Sequence, residues 1–118
     1  MLTPLTVRGP LVVSPDDVRL PSPVTFTIML EDESAPQSGT NSRTLTLTLQ
    51  PGNDVTFENG SKTISDTKGI GRIPQLVSMS HQLRGTGRDL TGTILLQVSV
   101  VLTDDTLKTL GSVLVGLL

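Results

Sequence analysis

Between Val24 and Glu31 the chain alternates strictly, with Val24, Phe26, Ile28 and Leu30 on one side and Thr25, Thr27, Met29 and Glu31 on the other. That two-residue period is the mark of a strand with one buried face. Thr44–Leu49 repeats the device with threonines opposite leucines until Pro51-Gly52 stops it. The polar run between them, Asp32–Ser42 with Pro36 and Gly39, reads as a long connection. Leu76–Arg84 sets Val77, Met79, His81 and Leu83 against Ser78, Ser80, Gln82 and Arg84. Thr93–Leu102 sets Ile94, Leu96, Val98, Val100 and Leu102 against a second face that includes Leu95 and Val101, the pattern of a central or interface strand.

Shorter signals surround these four strands. Leu5–Val7 and Leu11–Val13 flank Arg8-Gly9-Pro10 and suggest an N-terminal hairpin, which Pro4, Pro10 and Pro15 confine to a sheet edge. Asp54–Glu58 and Lys62–Ser65 flank Asn59-Gly60, a favoured hairpin turn. From Asp104 the period changes: Leu107, Leu110, Val113, Leu114, Leu117 and Leu118 recur three and four apart, giving one apolar helical stripe with Thr103, Asp104 or Asp105 as cap. Gly111 and Gly116 each weaken such a helix by about 1 kcal/mol relative to Ala, so it needs a surface to dock on. The expected fold is therefore α+β: one domain over residues 1–118, an antiparallel sheet with an N-terminal hairpin, and one C-terminal amphipathic helix.

Composition narrows the chemistry. A chain of 118 residues with only Phe26 and Phe57 as aromatics must build an aliphatic core, and a small core of that kind gains from burial against another subunit. The absence of Cys excludes disulfides, thiolate nucleophiles and Cys-based metal sites. Met1–Leu5 lacks a secretory pattern and the longest apolar runs are short of a membrane span, so a soluble, leaderless protein is expected. A net charge of −2 argues against a general nucleic-acid coat, although Arg72, Arg84 and Arg88 share one window.

Catalytic parts are scarce. His81 is the sole histidine and lies on an apolar strand face, as a satisfied half-buried histidine does. The neighbours Asp16-Asp17 and Asp104-Asp105 suit turns and caps better than a two-carboxylate acid/base pair. Gly69-x-Gly71 and Gly85-x-Gly87 lack the Lys-Ser/Thr ending of a phosphate loop. These absences lead to the expectation that the chain is not an enzyme and holds no cofactor or metal. The Thr-rich faces read either as solvated sheet surface or as a hydroxyl platform for RNA.

The layout of an N-terminal hairpin, two-faced strands and a C-terminal helix, together with Met79-Ser80-His81-Gln82-Leu83-Arg84-Gly85-Thr86-Gly87-Arg88-Asp89, resembles the coat proteins of single-stranded RNA bacteriophages, the levivirus-like group. The likeness covers Leu76–Leu118 and is architectural before that. It implies a homodimer that assembles into an icosahedral shell in the bacterial cytoplasm and encloses RNA in a virion, with no membrane or small-molecule partner. It implies RNA contacts from Ser78, Ser80, Gln82, Arg84, Thr93, Gln97 and Ser99, joined by Thr44, Thr46 and Thr48 if that strand shares the sheet. It implies a dimer interface of Leu107, Leu110, Val113, Leu114 and Leu117, and contacts between dimers through Gly85, Gly87 and Arg88. The chain departs from the family in having one C-terminal helix instead of two and few basic residues on the proposed RNA face. The competing expectation is a phage decoration or tail module of β-sandwich type that binds no RNA.

Overall fold

The computed structural model describes residues 4–51, 54–85, 87, 92–102 and 105–118. In chain order its strands are β1 (Thr6–Val7), β2 (Val12–Ser14), β3 (Asp17–Val18), β4 (Ser22–Glu31), β5 (Thr40–Leu49), β6 (Val55–Phe57), β7 (Thr63–Gly71), β8 (Gln75–Gly85), β9 (Gly92–Val101) and β10 (Leu107–Leu117). They form two sheets packed face to face. The front sheet runs β1-β4-β8-β6, with β2 also on β4, and the back sheet runs β3-β10-β9-β5-β7.

The alternation explains the packing. The odd or even apolar set of each long strand turns inward: Val24, Phe26, Ile28 and Leu30 from β4 and Val77, Met79 and Leu83 from β8 meet Leu45, Leu47 and Leu49 from β5 and Ile94, Leu96, Val98 and Val100 from β9. Each such side chain contributes roughly 1.5–3 kcal/mol of burial, so a core without Trp or Tyr is held by numbers of aliphatic residues. A one-residue slip in any of these strands would turn its whole apolar set to water, which fixes the register.

Three expectations are corrected here. The fold is all-β, with no helix among the described residues, in place of α+β. Leu107–Leu117 is a strand antiparallel to β9, and its helix-like spacing comes from a bulge: Thr109 pairs with Ser99 and Gly111 with Val98, leaving Leu110 as an extra residue. Leu110 packs on the core before the inward series resumes at Val113, Val115 and Leu117, so a phase change imitates a step of three. The expected dimer stripe is thereby split. Leu110, Val113 and Leu117 face the chain's own core, whereas Leu107 and Leu114 are exposed on the outer side.

β1 and β2 do not form a hairpin with each other, because both pair with β4, at Leu30–Glu31 and at Thr25–Thr27. Asn59-Gly60 does make a turn, with Gly60 at φ +76° and its N–H donating to the Phe57 carbonyl at 3.0 Å. The strands it joins lie in different sheets, however, since β6 pairs with β8 and β7 with β5. Thr103 and Asp104, expected as caps, lie outside the described residues.

Candidate interaction surface

Each sheet turns its polar set outward, and this divides the ten residues expected to hold RNA. Ser78, Ser80, Gln82 and Arg84 are on the outer side of the front sheet, where the Thr25 and Ser80 hydroxyls bond at 2.8 Å and those of Thr27 and Ser78 at 3.0 Å. Thr44, Thr46, Thr48, Thr93, Gln97 and Ser99 are on the outer side of the back sheet. The two sets point in opposite directions across the core, so they cannot form one platform. Thr46 and Ser99 are also only 8% and 6% exposed. Gly85 ends β8 opposite Val55. At Gly87 an added β-carbon would collide with the Asp54 carboxylate, and Arg88 is outside the described residues.

The outer side of the back sheet has a definite pattern. Register places Thr63, Thr48, Gln97 and Ser112 in one row across β7, β5, β9 and β10, and Ser65, Thr46, Ser99 and Thr109 in the next. The Thr46 and Ser65 hydroxyls bond at 3.0 Å. Apolar pairs close the β9–β10 half at both ends, Leu95 opposite Leu114 and Val101 opposite Leu107. No charged side chain occupies this face on β5, β7, β9 or β10. Arg43, Asp66, Lys68 and Lys108 take the opposite phase of their strands, and Asp17 of β3 stands at the far corner. A shallow hollow of about 140 Å³ sits at one end, lined by Thr48, Gln50, Pro51, Leu95 and Gln97.

Two polar clusters are built inside. Asp32 and Arg43 form an ion pair at 2.7 Å with both side chains 0% exposed. Asp32 also accepts from the Ser34 N–H at 3.0 Å, the Ser34 hydroxyl at 2.5 Å and the Asn41 amide at 3.3 Å. Burial alone pushes its carboxyl up, but the bonds from Ser34 and Arg43 outweigh that and hold it below the usual carboxylate range. The second cluster joins the sheets: His81 Nδ1 lies 2.6 Å from Glu58 Oε1 and Nε2 lies 2.5 Å from Asp66 Oδ2. Burial pulls the imidazole's affinity for its proton down, and the two carboxylates more than reverse it, raising the pKa above the ordinary histidine value. Glu58 is in turn held below its ordinary value, its desolvation outweighed by the bond to His81.

The hollows found among the described residues are not lined by either cluster. A second open hollow, about 350 Å³, lies between Gln37–Thr40 and Gly71–Gln75, and its one guanidinium, Arg72, donates through Nε to the Ala35 carbonyl at 2.8 Å. Among the described residues no group of His, Cys, Asp or Glu is arranged to hold a metal ion. Sequence reasoning placed His81 on the inner face but missed Glu58 and Asp66, which reach it from 23 and 15 residues away.

No family model matches the sequence, and no curated protein matches it. The fold, however, has a solved counterpart. It resembles part of a DNA glycosylase. The alkylpurine DNA glycosylase AlkC of Pseudomonas fluorescens, solved bound to DNA containing an abasic site analog, aligns with 95% of this chain at a TM-score of 0.59 and 17% identity. The aligned part is 30% of that glycosylase chain, so the present chain spans less than a third of its length. At this identity the likeness shows the fold alone.

The likeness corrects two expectations. The coat-protein reading, with its RNA-filled shell, and its decoration- or tail-module alternative give way to a fold whose solved counterpart belongs to a DNA glycosylase. The exclusion of enzymes falls with them, because the same fold forms part of an enzyme chain.

Proposed function

We propose that this chain is a β-sandwich association module whose working surface is the outer side of the back sheet, and that it pairs there with a second copy of itself. The observation that carries this reading is the uncharged, four-strand-wide face of hydroxyl, amide and aliphatic side chains. Depletion of charge marks the core of protein interfaces. A two-fold pairing sets a patch against its own copy, so a charge near the axis would meet its like. A face without charges escapes that penalty. A face without cations also has little hold on phosphate groups.

Size and pattern agree with a modest dimer. Four strands about 4.8 Å apart and seven residues at about 3.3 Å each frame a patch on the order of 450 Å² in plan. With side-chain relief this approaches the roughly 600 Å² per partner at the lower end of specific interfaces. A two-fold axis across the strands sets Leu95 and Leu114 of one copy on Val101 and Leu107 of the other, with the hydroxyl rows between them. Sedimentation velocity over a wide concentration range tests the reading. The native chain is expected to pass from monomer to dimer, Ser112→Lys with Gln97→Lys to remain monomeric, and Ser80→Lys on the front sheet to dimerise normally. A native chain that stays monomeric throughout, or lysine variants that pair as the native chain does, overturns it.

A further inference from the structure

β7 belongs to the back sheet but, among the described residues, has a sheet neighbour only in β5. Its other side faces the margin of the front sheet, where two side chains of β8 reach across to it. At one end Gln75 accepts from the Gly71 N–H at 3.2 Å and donates to the Gly69 carbonyl at 3.3 Å. Near the middle His81 meets Asp66. The same ring meets Glu58, whose second oxygen accepts the Gln82 N–H at 3.0 Å, tying the β6–β7 turn to β8 as well.

A carboxylate offers only acceptors, and a neutral imidazole offers one N–H. Both bonds to the ring are therefore made together only by the doubly protonated imidazolium. When that proton leaves, a lone pair faces one of the carboxylates and one bond becomes a repulsion. We propose that His81, Glu58 and Asp66 form a proton-operated clasp that holds β7 against the front sheet and so sets the order of the outermost column of the pairing face. β7 supplies Thr63, Ser65 and Thr67 to that face, so this regulation rests on the pairing proposed above.

Among the described residues no other charged group bonds to the ring. β4 places Val24 opposite His81, and β6 contributes Phe57, whose ring meets the imidazole edge-on at 6.0 Å and 71°. Lys68 is the next residue on the Asp66 side of β7, and Lys62, at the foot of the turn that carries Glu58, donates to the Val55 carbonyl at 2.5 Å. The raised affinity of the ring and the lowered affinity of Glu58 set the working range. Clasp stability is complete below the unfolded histidine value and is lost as pH rises through the raised folded one. Glu58 contributes above its ordinary value and ceases to as pH falls through the lowered one.

Amide hydrogen exchange of β7 and sedimentation, both followed from mildly acidic to mildly alkaline pH, test the clasp. In the native chain the protection of residues 64–68, corrected for the intrinsic rate, is expected to fall about tenfold as the ring loses its proton and one charge-assisted hydrogen bond with it, and pairing to weaken in step. His81→Gln should give protection that does not vary with pH. Asp66→Asn, which keeps a hydrogen-bonding group beside the ring, should give a smaller fall and serves if the first variant fails to fold. Protection that is flat in the native chain, or equally steep in both variants, overturns the clasp. If the native chain keeps its pH-dependent protection but never pairs, the pairing is overturned and the clasp stands. If it pairs with no dependence on pH while protection falls, the coupling between them is overturned.

Discussion

Gly111 of β10 lies against Leu11, so close that a β-carbon at position 111 would stand 3.3 Å from the Leu11 β-carbon and 3.6 Å from Ile28 Cδ1. The glycine, which would only weaken a helix, here lets the backbone at the bulge touch the front sheet. Gly111→Val is expected to force the sheets apart locally and cost about 1–3 kcal/mol, as overpacking does. The midpoint of urea unfolding measures it.

Leu114 and Leu117 would share a helical stripe, but on the strand they are opposites, 57% and 9% exposed. Leu114→Ser should change the stability of the monomer by less than about 0.5 kcal/mol. Leu117→Ala should cost about 2–5 kcal/mol. Equal effects on the two would contradict the strand.

Removing the Asp32 charge leaves the Arg43 guanidinium buried beside a neutral amide. Asp32→Asn is expected to cost about 3–5 kcal/mol, most of it the unbalanced cation. The native folded carboxyl titrates below its unfolded value, so its contribution is present above the ordinary carboxylate range and disappears as pH falls through the lowered value. Native stability should therefore fall on acidification, and the Asn variant should lack that part of the fall. Denaturant titrations at neutral and acid pH make the comparison.

Gly60 has φ +76° and open space where a β-carbon would be. Any loss on substitution therefore comes from the backbone. Gly60→Ala should cost roughly 1–2 kcal/mol, and Gly60→Asn less, because Asn tolerates the left-handed region. Thermal unfolding of the pair separates this effect from packing.

What the sequence makes legible follows from where the information sits. β4, β5, β8 and β9 alternate without interruption, so the inner face of each can be read off the chain and is the face the structure buries. β10 carries its bulge at Leu110, and one extra residue converts a period of two into apparent helical spacing. Asn59-Gly60 shows that the chain turns but not that it changes sheets, since the same turn serves either course. The partners of His81 have no local signature at all. Glu58 and Asp66 find the ring only because that turn carries the chain from β6, beside β8, over to β7 in the other sheet. The division of the polar residues between two outward faces was equally hidden, because alternation gives the phase of a strand but not the sheet it joins.

The parallel pairing of β3 with β10 joins opposite ends of the described chain: the Gly116 N–H donates to the Asp16 carbonyl at 2.8 Å and the Leu118 N–H to the Val18 carbonyl at 2.9 Å. During synthesis the front sheet can close once Gly85 has left the ribosome, but β9 and β10 have yet to appear. The nascent chain then presents the apolar inner side of the front sheet with only β5 and β7 to cover it. An apolar face open in that interval is prone to aggregation, and β10 completes its cover when it docks beside β3.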